Sequence, residues 1–299
     1  MTHHALAILV TVLGWWSLTG LLLLLDGRPA RTFPATMAAA SIVLAGALAL
    51  LAETRLDTSV SAAYLSVAGG VLLWGWVETS FLLGFVTGPR RHACPAGCAG
   101  WRHFGHAVEA ILYHELAILA GAATVVVIAW GRPNAFGADA YLLLWAMRTS
   151  AKLNLFLGVP NVGEQYLPAH LRYLASFFRR RRMNLLFPLS VTAPVPVVVL
   201  LVARAAAPAA AGFEGTGCTL LATLLGLGIL EHWFLVLPLP SEALWRFGLK
   251  PVADEPDDAA WSCAGAVTLP AELARQAGPD TRRRRALTPL PLDPSRLHW

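Results

Sequence analysis

The chain has 299 residues, of which 56% are hydrophobic and only 14% are charged, with a net charge of +5 and a mean hydropathy of +0.57. Soluble domains carry about 25% charged residues, so this composition argues against a water-soluble protein and favours a membrane protein. Four cysteines are too few and too scattered for a disulfide-stapled secreted scaffold.

Long apolar runs predict an all-α, polytopic membrane helix bundle with about seven transmembrane helices, because about 20 mainly apolar residues are needed to cross the hydrocarbon layer. In chain order the predicted spans are Ala5–Leu25, Phe33–Ala52, Val60–Val86, Gly105–Trp130, Ala138–Gly158, Asn184–Val202 and Thr216–Leu237. Three prolines, Pro188, Pro194 and Pro196, predict a kink in the sixth of these spans, because each removes a backbone donor.

Basic residues between the spans predict the orientation. Loops after spans two, four and six carry only Arg55, Arg132 and Arg204, against ten arginines after spans one, three and five. Cytoplasmic loops are enriched in basic residues, so we expect the N-terminus in the periplasm and the C-terminus in the cytoplasm. The ten arginines are Arg28, Arg31, Arg90, Arg91, Arg102, Arg172, Arg179, Arg180, Arg181 and Arg182.

Two cytoplasmic segments differ from ordinary loops. Leu167–Arg182 is aromatic and apolar and ends in four arginines, which indicates either an interfacial helix on anionic lipid or ordinary positive flanking of the sixth span. We expect residues 1–249 to form the transmembrane bundle and residues 250–299 a cytoplasmic tail. The tail is rich in proline and poor in apolar periodicity, so we expect it to be largely disordered.

Nine ionisable side chains inside the predicted spans are candidates for one polar cluster. Charges at this depth cost about 2.5–3.5 kcal/mol each on insertion scales, so we expect the side chains to face the bundle interior and to pair. Arg148 and Lys152 are four residues apart and therefore share one helix face. We expect these two cations to face at least two of the four acids. The predicted polar cluster comprises Glu78, His106, Glu109, His114, Glu115, Arg148, Lys152, Glu231 and His232.

The residue types leave several roles open for this cluster. Buried ion pairs can fix the order of helices, and a neutral imidazole, His114 or His232, can bind the magnesium of a bacteriochlorin. A carboxylate–histidine metal site for redox chemistry is a third role, although no repeated Glu-x-x-His pair is present. A path for protons or for a substrate is the fourth.

The loop after the third span, GPRRHACPAGCAGWRHFGHA, holds thiols and imidazoles within a short stretch. Cys94, Cys98, His92 and His103 are candidate ligands of a metal whose identity is unknown, because zinc prefers sulfur and nitrogen ligands. The C-x3-C spacing differs from that of a zinc finger and no second cysteine pair follows. A proline–glycine turn with reduced thiols is therefore the alternative interpretation.

Several long segments carry a resemblance to a known family. They are WGWVETSFLLGFVTGPRR (Trp74–Arg91), CPAGCAGWRHFGHA (Cys94–Ala107), LYHELAI (Leu112–Ile118), LLWAMRTSAKLNLFLGVPN (Leu143–Asn161), HLRYLASFFRRRRMNLLFP (His170–Pro188) and LEHWFLVLPLPSEALW (Leu230–Trp245). Together they cover most of residues 1–249 and resemble the PuhE family, photosynthetic complex assembly proteins of purple phototrophic bacteria.

The resemblance implies a non-enzymatic assembly factor in the bacterial inner (intracytoplasmic) membrane that supports formation of the reaction-centre–light-harvesting complex. Expected partners are membrane lipids and reaction-centre or antenna subunits or other assembly factors, with no nucleic acid, and bacteriochlorophyll is the cofactor considered.

Gly84 and Gly88 form a G-x-x-x-G motif that permits close helix approach. The alternative is a membrane enzyme or transporter that acts on tetrapyrroles through the polar cluster. The resemblance carries over no catalytic residue.

Overall fold

A computed structural model describes residues 2–208, 212–238 and 241–245, and within these ranges the regular structure is helical. The predicted tail, residues 250–299, lies outside the described residues. Short 3-10 helices cover Ala30–Thr32, Glu164–Tyr166, Ala169–Phe177 and Ser241–Trp245. The α-helices are α1 (Thr2–Asp26), α2 (Phe33–Thr54), α3 (Val60–Leu82), α4 (Gly100–Ala129), α5 (Phe136–Leu157), α6 (Leu186–Thr192), α7 (Val195–Ala205) and α8 (Phe213–Phe234).

Six helical segments of the described chain are long and apolar enough to cross a membrane. They are α1, α2, α3, α4, the consecutive pair α6 and α7, and α8. The predicted all-α fold is confirmed for the described residues, and the six segments agree with a multi-pass membrane protein. Helix α5 is equally long, at 22 residues, but Arg148 and Lys152 interrupt its apolar sequence and it falls outside this set.

Two loops that are distant in sequence, residues 55–59 and 130–135, meet at one end of the bundle. We call it the opposite end, because the arginine-rich loops described next form the other end. Asn134, in the loop before α5, is 2% exposed. Its side-chain Nδ2 lies 3.0 Å from the Thr54 carbonyl oxygen and 3.2 Å from that of Asp57, both at the α2–α3 turn. These contacts satisfy buried backbone acceptors and fix the start of α5 beside that turn.

Another group of loops meets at what we call the basic end, formed by residues 27–32, 83–99 and 158–185. The Cys94 backbone N–H donates to the Ser176 Oγ at 2.9 Å, and the rings of Phe33 and His170 lie 5.7 Å apart. Because α5 starts at the opposite end and is followed directly by residues of the basic end, it runs the length of the bundle.

Helices α3 and α8 form the centre of the bundle. In their membrane-spanning windows 44% and 67% of residues are buried, against 17% in α1 and 11% in α2. Helices α3 and α5 cross with their backbones in contact at Gly70 and Gly137, where a Cβ atom on Gly70 would lie 2.1 Å from the Gly137 carbonyl oxygen. The Gly137 N–H donates to the Ser66 Oγ at 2.9 Å, which adds a buried hydrogen bond to this crossing.

The predicted kink in the sixth span is confirmed as a break. Helix α6 ends at Thr192 and α7 begins at Val195. Pro194 immediately precedes α7, and a proline there lacks the N–H that would continue the α6 hydrogen-bond ladder. The break leaves α6 to pack against α5 and α8 and α7 to pack against α8.

Of the two interpretations of the segment Leu167–Arg182, an interfacial α-helix or ordinary positive flanking of the sixth span, the structure does not show the α-helix. Its central part is a 3-10 helix, Ala169–Phe177, followed by extended backbone. Leu171, Leu174 and Phe177 are 1%, 5% and 4% exposed and pack in one cluster with residues of α3 and α4. The apolar side of the segment is thus buried against this protein instead of lipid.

The G-x-x-x-G motif does not form a lateral helix-docking surface. Helix α3 ends at Leu82, so Gly84 and Gly88 lie beyond it. Gly84 has a φ of +79° and terminates the helix. A Cβ atom on Gly88 would lie 2.1 Å from the Glu109 carbonyl oxygen, so the close approach that the motif permits is to α4 of the same chain.

Candidate functional site

Two ion pairs join α3, α4 and α5 within the bundle. Arg148 Nη2 lies 2.9 Å from Glu78 Oε2, and Lys152 Nζ lies 2.6 Å from Glu115 Oε1. The predicted pairing of both cations with two of the four acids is therefore seen in the structure. The two cations share one face of α5, and from it Arg148 reaches α3 and Lys152 reaches α4.

His114 lies beside the Glu78 carboxylate, with Nε2 3.9 Å from Oε1, and its ring centroid is 4.3 Å from that of Phe81. The side chain is fully buried, and in the described structure neither ring nitrogen has a hydrogen-bond partner. A buried polar group without a partner is unusual. The imidazole faces a carboxylate and a phenyl ring, so a bacteriochlorin could reach it only if these groups moved.

His232 on α8 is 2% exposed and is joined to α5 by one hydrogen bond. Its Nδ1 lies 2.8 Å from the Gly228 carbonyl oxygen and its Nε2 lies 3.0 Å from the Ser150 Oγ. A carbonyl oxygen only accepts, so Nδ1 carries a proton. Both nitrogens are used by the protein, and the hypothesis that His114 or His232 binds pigment stays a prediction.

The residues around His232 form a network that the sequence analysis missed. The Ser150 and Ser190 hydroxyls lie 2.8 Å apart, and the Asn154 Nδ2 donates to the Ser190 Oγ at 2.8 Å. Asn184 continues the network, with its Nδ2 3.0 Å from the Asn154 Oδ1. Ser150 and Asn154 have the same i, i+4 spacing as Arg148 and Lys152, which was the available signal for a second polar face on α5.

Three predicted members of the cluster lie elsewhere. Glu231 is exposed on α8, and its Oε1 accepts a hydrogen bond from Trp15 Nε1 at 2.6 Å. The Glu109 side chain is 52% exposed and pairs with Arg90 at 3.5 Å. His106 lies next to the two loop cysteines. Helix α4 has 30 residues, about 45 Å at 1.5 Å per residue, so its first turns extend beyond the depth of the ion pairs.

A second cluster lies at the basic end, where α4 begins. Cys94, Cys98 and His106 offer three ligand atoms within 4.8 Å of one another, and in the described part of the chain they are the only such group of His, Cys, Asp or Glu side chains. His106 Nδ1 lies 3.5 Å from the Cys94 sulfur and 3.4 Å from the Cys98 sulfur. His92 is exposed and outside this group, so His106 replaces it among the predicted candidates.

The Cys94 thiol sits in a mixed electrostatic environment. Loss of solvent raises its pKa, and the hydrogen bond and charge of the neighbouring Cys98 sulfur raise it further, while Arg90 and Arg102 oppose the rise. His103 is near this thiol, with Nδ1 3.2 Å from the Cys94 sulfur. The predicted proline–glycine turn is also present, because the Cys98 N–H donates to the Pro95 carbonyl at 3.2 Å.

The chain has a relative of known sequence in Rhodobacter capsulatus and matches a protein family over most of its length. No solved structure matches it. A Rhodobacter capsulatus protein described as "Uncharacterized 30.4 kDa protein in puhA 5'region" is 37% identical over 275 residues, which are 90% of this chain and 99% of that protein. Residues 1–256 match the family described as "Protein of unknown function (DUF3623)". With a match over most of its length, the chain belongs to the DUF3623 family.

Proposed function

We propose that this protein is a non-enzymatic assembly factor for the reaction-centre–light-harvesting complex in the inner membrane of a phototrophic bacterium, as its resemblance to the PuhE proteins implies. The relative with 37% identity is described by its position in the puhA 5' region, which agrees with a role in photosynthesis. Partners would be reaction-centre or antenna subunits, which the outer helices would contact within the membrane.

The observation that carries the proposal is that the charges inside the bundle pair with one another. Glu78 pairs with Arg148 and Glu115 with Lys152, so these groups join helices and do not converge on an open site. Function would then reside on the outer surfaces, where α1 and α2 bury few of their apolar residues within this chain.

We further propose seven membrane crossings, with the N-terminus in the periplasm. Helix α5, fifth in chain order, would bring the number of spans from six to seven. Its 22 residues extend about 33 Å, and it runs from the opposite end to the basic end. The basic end carries the arginine-rich loops and would lie in the cytoplasm. An amphipathic helix with paired charges can cross a bilayer when its polar side faces the bundle interior.

Reporter fusions test the crossing of α5 directly. Fusions after Arg132 and Arg182 flank this helix, so we expect a periplasmic signal at Arg132 and a cytoplasmic signal at Arg182. Arg91 and Leu249 should also report cytoplasm, which provides the control on either side. The same compartment at Arg132 and Arg182 would show that α5 does not cross.

A deletion strain tests the function. We expect less mature reaction-centre–antenna complex, while bacteriochlorophyll is made with its normal chemical structure, and restoration by the wild-type gene. Pigment extracts discriminate this outcome from the enzyme alternative. Accumulation of a defined tetrapyrrole intermediate, rescued by wild type but not by Glu115→Gln within the cluster, would favour an enzyme.

Site-specific photo-crosslinking tests the lateral contact. Ile42 and Ala47 lie on the same helix, α2, but Ile42 is 75% exposed and Ala47 is 1% exposed. A photoreactive residue at position 42 should capture a reaction-centre or antenna subunit while complexes are being built, and one at position 47 should not. Equal capture at both positions, or none at 42 or at other exposed positions of α1 and α2, would contradict the docking model.

A further inference from the structure

The loop after α3 and the first turns of α4 bring together side chains that the proposed assembly role does not use. Cys94 and Cys98 come from the loop, and His106 comes from the second turn of α4. All three are half-buried and have ligand atoms within 4.8 Å of one another. Two thiols and an imidazole are the donor set preferred by borderline-soft divalent metals, above all zinc.

The distances fit a tetrahedral metal centre. With Zn–S bonds of about 2.3 Å and Zn–N bonds of about 2.0–2.1 Å, a tetrahedral angle separates a sulfur and a nitrogen ligand by about 3.5–3.6 Å. The His106 Nδ1 is 3.5 Å from the Cys94 sulfur and 3.4 Å from the Cys98 sulfur. Both sulfur–nitrogen distances therefore match those of a tetrahedral centre, and all three ligand atoms lie within 4.8 Å of one another.

The backbone holds the two cysteines in this arrangement. The turn Pro95–Cys98 closes with a hydrogen bond from the Cys98 N–H to the Pro95 carbonyl, and Gly97 supplies the positive φ of +76° that the turn needs. The Cys94 N–H is anchored on Ser176, 82 residues away in sequence. Both thiols are free, so the turn positions them without a disulfide.

His103 lies on the same face of α4 as His106, because the two are three residues apart. Its Nδ1 is 3.2 Å from the Cys94 sulfur, and its ring is 6% exposed and stacks on Phe156 at 5.4 Å. An imidazole that is fixed by packing and points at a sulfur ligand is suited to donate a hydrogen bond to the thiolate. Such outer partners orient ligands and tune metal affinity.

We propose that Cys94, Cys98 and His106 bind one zinc ion at the basic end of the bundle, with His103 as the hydrogen-bond donor to the Cys94 thiolate. Three protein ligands leave the fourth coordination position to water. The site joins the α3–α4 loop to α4, and through Ser176 it also joins them to the loop before α6. A cytoplasmic location, as proposed above, would keep both thiols reduced and available to the metal.

Metal content of the full-length protein in mild detergent tests the ligand set. Purification with reductant and without chelator should yield one zinc per chain. Cys94→Ser, Cys98→Ser and His106→Gln should each abolish stoichiometric zinc. His92→Gln and Cys218→Ala are the matched controls, because His92 is exposed outside the cluster and Cys218 is buried in α8. Zinc retained in all three ligand variants, or absent from wild type after zinc is added, would overturn the proposal.

Chelator competition tests the role of His103. His103→Gln should weaken zinc binding by about 10–100-fold without abolishing it, as loss of an outer-shell partner does. Loss as complete as in Cys94→Ser would overturn the three-ligand assignment. Cobalt-substituted wild type should show the thiolate charge-transfer and tetrahedral d–d absorption that the Cys98→Ser variant weakens.

Protection of the thiols from labelling tests the zinc site in the wild-type protein, so this test does not depend on whether the ligand variants accumulate. In wild-type protein, zinc should protect Cys94 and Cys98 from a maleimide, and chelator should expose them to it. Cys218 labelling should be the same in both conditions. The metal site would be contradicted if labelling of Cys94 and Cys98 were the same with zinc and with chelator. It would also be contradicted by a protein mass lower by two hydrogens, which would indicate a disulfide between the two cysteines.

Discussion

Arg148→Met should lower the free energy of unfolding by about 3–5 kcal/mol, since removal of one partner of a buried ion pair leaves the other charge uncompensated. The Glu78 side chain is only 8% exposed, and its Oε2 is 2.9 Å from Arg148. The Arg148 side chain is itself 40% exposed, so we expect a loss near the lower end of this range. Denaturant-dependent unfolding in mixed detergent micelles provides the measurement.

Two variants provide the controls for the Arg148 prediction. Arg148→Met combined with Glu78→Gln removes both charges and should recover much of the lost stability, because a neutral amide is less costly to bury than an unpaired carboxylate. Arg90→Met breaks a pair whose glutamate, Glu109, is 52% exposed, and should cost only about 0–1 kcal/mol. If Arg148→Met and Arg90→Met were equally mild, Glu78 and Arg148 would not be a structural pair.

Gly70→Ala should also destabilise the bundle strongly. The added Cβ would lie 2.1 Å from the Gly137 carbonyl oxygen and 2.9 Å from its carbonyl carbon, so α3 and α5 would have to separate. Overpacking costs about 1–3 kcal/mol, and we expect the upper part of this range because the opposing atoms are backbone atoms that cannot rotate away. The same unfolding assay should show the loss together with a lower yield of folded protein.

Gly75 is the matched control for Gly70. It lies on the same helix, and an added Cβ there would meet no heavy atom within 4 Å. Gly75→Ala should leave stability unchanged or raise it by about 0.4–1 kcal/mol, because alanine restricts the unfolded chain. Equal destabilisation by both substitutions would mean that the α3–α5 crossing is looser than the distances indicate.

These predictions concern the same three helices. Helix α5 contacts α3 through both the Gly70–Gly137 crossing and the Glu78–Arg148 pair, and it contacts α4 through Lys152 and Glu115. The charges therefore help α5 to pack within the bundle despite its lower apolar content. This arrangement agrees with the interpretation of the polar cluster as ion pairs that fix helix order.

Composition, the length of apolar runs and helical spacing were sufficient to predict much of the structure of the membrane domain. Runs of apolar residues located the six hydrophobic spans, because crossing a bilayer imposes length and composition on each helix independently of its neighbours. Pro194 located the break between α6 and α7 for a similarly local reason. The spacing of Arg148 and Lys152 indicated a shared helix face, and the cost of unpaired charge in a membrane indicated that acids would meet it.

Tertiary structure alone decided which partner each side chain meets. Glu78 and Glu231 are both glutamates within spans, yet one pairs with Arg148 in the interior and the other lies exposed beside Trp15. His106 joins the cysteines instead of the ion pairs, because α4 extends beyond the depth of the cluster and the Pro95–Cys98 turn folds back onto its first turns. Helix rotation and the paths of loops depend on packing between distant segments, which the local pattern of residues does not encode.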